Sequence, residues 1–119
     1  MREGVMAMEQ GERHLGVVRA AKALSDPVRV QILHLISQGR SGWNLPTDEG
    51  TPDGLCVCEL QEHLQLAQSL VSYHLRILKQ AGLVSEVPRG RWTYYVLNPT
   101  GFEALHHFTR ALVAAPLTL

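Results

Sequence analysis

The chain has 119 residues, 45% of them apolar, with eleven basic and eleven acidic side chains that cancel. That is one domain of ordinary size, able to build a core without disulfides, and no apolar run approaches the roughly 20 residues that cross a bilayer. Zero net charge excludes a protein that holds nucleic acid by bulk electrostatics alone.

Residues 1–11 mix glycine with charge, show no periodicity and read as a flexible arm. They hold no apolar h-region or small-residue cleavage site, so the expectation is a cytoplasmic protein with reduced thiols. Leu15, Val18 and Ala21 to Leu24 follow as a short amphipathic helix ending at Ser25-Asp26-Pro27. Either Ser25 or Asp26 can cap the next helix, with Pro27 at its first position. Val28, Ile32, Leu35 and Ile36 keep helical spacing up to Gly39, a C-terminal stop. The stretch 40–55 is rich in Gly and Pro and reads as one long loop.

Glu59 to Leu64 reads as a short helix, Gln65-Leu66-Ala67 as a tight turn, and Gln68 to Ala81 as a second helix closed by Gly82. At ~100° per residue, Ser69, Ser72, Tyr73, Arg76, Lys79 and Gln80 share one face, and Leu70, Val71, His74, Leu75, Leu78 and Ala81 the other. The polar face suits base edges and phosphates, with Gln68, Ser69, Ser72, Tyr73 and Arg76 as the candidate DNA contacts. His74, on the apolar face, reads as a hydrogen-bonded core residue. Val84 to Pro88 and Trp92 to Leu97 form two strands around Arg89-Gly90-Arg91, a wing whose arginines reach phosphates or a minor groove. Charge follows the same division. Residues 40–63 hold one Lys or Arg against five acids, and residues 68–95 hold four against one acid.

Asn98-Pro99-Thr100 starts a last helix, Gly101 to Ala114, with Phe102, Leu105, Phe108 and Leu112 on one face, and residues 115–119 read as a tail. The fold expected is therefore mainly α with a small β-hairpin, a winged helix-turn-helix in the order α-α-α-α-β-β-α over residues 12–114. Paired across a two-fold axis, the terminal helices would bury their apolar faces in a homodimer and set two recognition helices about one DNA turn apart.

The two cysteines, Cys56 and Cys58, stand just ahead of this reader. Two thiolates cannot close a tetrahedral zinc site, but they suit a soft, low-coordinate centre such as trivalent arsenic or antimony. The bland alternative is a pair of small, partly buried apolar residues. If position 58 were helical beside 56, the side chains would diverge by ~200°, so joint binding requires an extended chain or an opened first turn. A helix N-terminus also favours the thiolate.

The segments LSDPVRVQIL, LCVCEL, SLVSYHLRILKQAGLV and RGRWTYYVLNP together resemble the ArsR/SmtB family of dimeric winged-helix repressors, over roughly residues 15–113. LCVCEL is similar to the arsenic-sensing ELCVCDLC pattern, with Cys56 and Cys58 at its first two cysteines and Gln61 at the third. The resemblance implies a repressor that leaves duplex DNA when arsenite or antimonite binds the Cys pair, with no permanent cofactor and no enzymatic activity. Cadmium, lead or zinc response and redox sensing are the alternatives within the same fold. Cadmium and lead sensors of the family recruit cysteines from the N-terminal arm, which this chain lacks; His106 and His107 fall outside the pattern of the family's zinc sites. His63 is the nearest histidine to Cys58 and a candidate third ligand.

Overall fold

The computed structural model describes the backbone of residues 2–114 and the side chains of residues 11, 12 and 14–114. Met1 and the expected tail 115–119 lie outside the described residues. The order is α1 (Arg2–Ala23), α2 (Pro27–Gly42), β1 (Leu55–Cys56), α3 (Val57–Leu64), α4 (Gln68–Gln80), β2 (Val84–Arg89), β3 (Trp92–Leu97) and α5 (Pro99–Ala114). The winged helix-turn-helix is present, with a two-residue strand added before the first helix of the pair.

α1 runs through the stretch that composition reads as an arm. Met6, Ala7, Met8, Glu9, Gln10 and Glu12 are strong helix formers, and that propensity prevails over the missing periodicity. Asp26 caps α2: its Oδ1 accepts from the backbone N–H of Val28 at 2.8 Å and Arg29 at 3.4 Å. Ser25 instead donates its hydroxyl back to Lys22 O at 2.6 Å, closing α1. Ile32, Leu55, Leu60, Val71, Leu75, Leu78, Leu83 and Val84 are fully buried, so α2, β1, α3, α4 and β2 share one core. Leu70, expected on the buried face of α4, is 40% exposed at its edge. Gln65 takes a left-handed conformation to turn the chain from α3 into α4.

β2 and β3 pair antiparallel from Val84↔Leu97 to Arg89↔Trp92, making the expected wing. β3 also pairs with β1, placing Leu55 opposite Tyr95 and Cys56 opposite Tyr94. Two residues carry no period, which is why this strand is invisible in the sequence.

Gly39 does stop α2, at φ 68° and ψ 179°, although one further helical turn reaches Gly42. The stretch that follows is tied down rather than slack. Asp53 Oδ1 accepts from Arg40 N at 2.8 Å, Trp43 Nε1 donates to Leu35 O at 2.9 Å, and Arg89 Nε donates to Gly50 O at 3.0 Å. A Cβ at Gly39 would collide with the Asp53 carboxylate, so this glycine answers both a backbone and a space requirement.

α5 packs along α1, with His14 edge-on to Phe108 at 5.8 Å between ring centres. Leu15, Val18, Leu112 and Val113 remain exposed on the two helices. Among the described residues no helix is long and apolar enough to cross a membrane.

Candidate functional site

Cys56 is the N-cap of α3, with extended dihedrals (φ −90°, ψ 165°), and Cys58 is the second residue of the helix. A residue outside the helical dihedrals is free of the helical divergence, and its side chain swings over the first turn. The two sulfurs lie 3.0 Å apart with the helix intact. The expectation that the chain must be extended throughout, or the turn opened, is thus corrected. At metal–thiolate bonds of about 2.3 Å, the length found on zinc, this spacing corresponds to a bond angle of roughly 80° at one shared atom. Cys56 is buried and Cys58 exposed, so the pair has one wall and one open side.

Beneath Cys56 lies a charge pair that sequence reading missed. The Glu59 carboxylate accepts from the Cys56 backbone N–H at 3.0 Å, half of a capping box. The same carboxylate is held by Arg40 through two 2.7 Å bonds, a bidentate fork. Arg40 is 4% exposed. It also donates to Pro46 O at 2.9 Å and Gly54 O at 3.1 Å, and its guanidinium lies 5.3 Å from the centre of the Tyr94 ring. Burial alone would raise the Glu59 carboxyl, but Arg40 and the Cys56 groups together hold it below its usual range. The hydrogen bond to Glu59 raises Arg40 in turn. The signal available in sequence was a lone base in an acidic stretch and Glu59 three residues after a possible cap.

Burial, then the Cys58 thiol and the nearby Glu59 carboxylate, push the Cys56 thiol up to about 12. This reverses the expectation that the helix terminus favours the thiolate there. A backbone N–H from Glu59 does pull the other way, but it is outweighed.

Where β1 passes into α3, β3 continues beyond it, and a cleft of about 260 Å³ opens between them. Its lining includes Cys56, Cys58, Gln61, Gln68, Arg91 and Trp92. Gln61, at the position of the pattern's third cysteine, therefore faces the same space as the sulfurs. Gln68 and Arg91, expected to touch DNA, line it too. His63 is turned elsewhere, its ring 4.6 Å from that of Trp43. Among the described residues no three His, Cys, Asp or Glu side chains gather as a metal site, which includes His106 and His107.

Ser69, Ser72, Tyr73 and Arg76 are all exposed along α4, with Arg76 over the Tyr73 ring at 5.6 Å. Arg89 and Arg91 are exposed at the wing tip. The opposite side of α4 is anchored by His74, 5% exposed, whose Nδ1 accepts from Arg29 Nη1 at 3.1 Å. Arg29 also donates to Ala23 O and Lys22 O, so one buried guanidinium joins α1, α2 and the recognition helix.

Comparison with known proteins bears on the family and the fold. The family described as "Bacterial regulatory protein, arsR family" matches residues 53–86. The chain is 37% identical over 78 residues to the arsenical resistance operon repressor of Bacillus subtilis, covering 65% of this chain and 61% of that protein's length. It is 35% identical over 99 residues to an HTH-type transcriptional regulator of Mycobacterium tuberculosis, covering 79% of each. The crystal structure of a possible transcriptional regulator for arsenical resistance superposes with a TM-score of 0.61 at 27% identity, over 78% of this chain and 82% of that one. These relatives are transcriptional regulators, not enzymes.

Proposed function

The chain belongs to the arsR family of bacterial regulatory proteins, and from that premise we propose that it is a homodimeric repressor released from its operator by trivalent arsenic or antimony at Cys56 and Cys58. The observation that carries the reading is the sulfur pair preset at 3.0 Å on a cap that is itself hydrogen-bonded into the wing strand. Soft, polarizable thiolates match a soft centre, and the relatives named for arsenical resistance support the choice. Dimerisation is supported by the apolar residues that α1 and α5 leave exposed.

Arsenous acid reacts by exchanging two hydroxyls for two thiols. Two As–S bonds form, two As–O bonds break, and each thiol proton leaves in a water molecule, with no change of oxidation state. The bridged sulfurs then act on Cys56 in two directions. One runs through the Glu59 hold and α3 to α4, where Ser69 to Arg76 meet the groove. The other runs through the Cys56↔Tyr94 pairing along β3 to Arg89 and Arg91. A shift along either path weakens DNA binding, and useful regulation requires coupling of about 1–3 kcal/mol.

The test is fluorescence anisotropy of labelled operator with arsenite, antimonite, cadmium, lead, zinc and peroxide titrated separately. Release by the two metalloids with indifference to zinc is the expected result; release by peroxide, reversed by a thiol reductant, would move the assignment to redox sensing. A pH series adds a second criterion. A divalent cation must expel the Cys56 proton into solvent, so its affinity rises about tenfold per pH unit for that proton. Neutral arsenous acid carries the proton off as water, so its affinity stays flat over the same range.

Arg89→Ala combined with Arg91→Ala is expected to weaken operator binding and flatten its salt dependence by about one unit of slope for each phosphate no longer neutralised. Anisotropy at several salt concentrations checks this. An unchanged slope would remove the wing tip from the DNA interface.

A further inference from the structure

The thiol pair satisfies two valences of a trivalent arsenic, and the cleft beside it has room for the third. We propose that the site takes monosubstituted organic arsenicals, aryl compounds above all, with the carbon substituent seated in the cleft against Trp92. This rests on the two-thiol reading above and extends it to the class of inducer.

Three observations carry it. First, no third Cys or His joins the pair among the described residues, and the one carboxylate beside it, Glu59, has both oxygens held by Arg40. Inorganic arsenite would keep one hydroxyl and gain no third sulfur here, whereas an arsenical R–As(OH)₂ has only two exchangeable positions and is fully satisfied by Cys56 and Cys58. It exchanges both hydroxyls for thiols and releases two waters, and the As–C bond is untouched. Second, the space has room for more than a small substituent. A methyl group, close to a water molecule's share of volume at roughly 30 Å³, would leave most of the 260 Å³ unfilled. A ring fills much more of it. Third, the lining offers a ring something to pack on. Trp92 is 51% exposed on β3, an unusual exposure for so large an aromatic, and Val57 and Thr93 add aliphatic surface beside it. Aromatic pairs gain beyond their buried area. The placement also has a consequence for regulation. Trp92 pairs with Arg89 at the end of the wing hairpin, so a substituent pressing on it acts directly on the element that carries the wing arginines.

The experiment measures binding of phenylarsenous acid, methylarsenous acid and arsenite to the DNA-free protein by calorimetry. Each affinity is divided by that of the same compound for dithiothreitol, which removes the intrinsic preference of thiols for one arsenical over another. The wild-type protein is expected to favour the phenyl over the methyl compound by about tenfold after this correction. Trp92→Ala should erase that preference and Trp92→Phe should keep most of it. Gln61→Cys should tighten arsenite and leave the phenyl compound no tighter, since only arsenite has a third position to give. Equal corrected affinities for phenyl and methyl, or a phenyl preference that survives Trp92→Ala, would overturn the proposal while leaving the thiol site standing. Failure of all three compounds to bind would instead overturn the two-thiol reading itself.

Discussion

Cys56→Ser and Cys58→Ser should each bind the operator as the parent protein does and fail to release it with arsenite. Serine nearly preserves size and retains a hydrogen-bonding group while removing the soft donor, so the effect is confined to metalloid chemistry. At Cys56 the hydroxyl is a better N-cap than the thiol, and α3 should gain slightly in stability. At Cys58 the side chain is exposed, so neither fold nor core changes. With one thiol left, only one As–S bond can form, and the advantage of two sulfurs preset 3.0 Å apart is gone. The expected loss is therefore most of the response, an arsenite midpoint shifted by about a hundredfold or more, since preset geometry alone can be worth several kcal/mol. Anisotropy with and without arsenite, on proteins checked for melting temperature, measures it. A full response in either mutant would sink the two-thiol site and, with it, redox sensing by the same pair.

What could be read from sequence follows physical period and local chemistry. The recognition helix and the wing announce themselves because Val71, Leu75 and Leu78 recur at helical spacing, and Trp92 to Leu97 is β-branched and aromatic between turn residues. The cap at Asp26-Pro27 is a local rule and appears as such. Three things have no local signature. β1 is two residues long and exists only through its pairing with Tyr94 and Tyr95. The conformation of Cys56 depends on where α3 starts, and one residue at that boundary separates diverging sulfurs from a preset pair. The third is Arg40, which joins Glu59, Pro46, Gly54 and Tyr94 from positions up to 54 residues away in sequence. The long loop is present between α2 and β1, but its anchoring has no local signature: Gly and Pro content reports turns, not the Asp53 and Trp43 bonds that hold them in place.

Arg40→Met should cost about 3–5 kcal/mol of folding stability, the usual result of removing one partner from a buried charge pair. Methionine fills much of the aliphatic space but supplies no donor, so Glu59 is left in a mostly buried position without its fork, and the carbonyls of Pro46 and Gly54 lose theirs. Adding Glu59→Leu removes the stranded carboxylate and should recover a large part of that loss. Recovery stays incomplete by about 1 kcal/mol or more, because the Cys56 N–H then lacks its acceptor and the carbonyls of Pro46 and Gly54 still lack their donor. Urea denaturation of wild type, single and double mutants at one protein concentration closes the cycle. The double mutant also separates structure from signalling. The sulfurs remain, so arsenite should still bind, but the bond that joins Cys56 N to Glu59 is gone, and the capture reaches α3 only through Cys58 and the chain itself. If operator release persists at full amplitude in that protein, the Glu59 hold is no part of the signal path, which then runs through Cys58 in α3 or from Cys56 by way of Tyr94 to the wing. If Arg40→Met costs less than about 1 kcal/mol, the pair is solvated in solution, and the bed beneath the thiols is not what holds Cys56 in its cap.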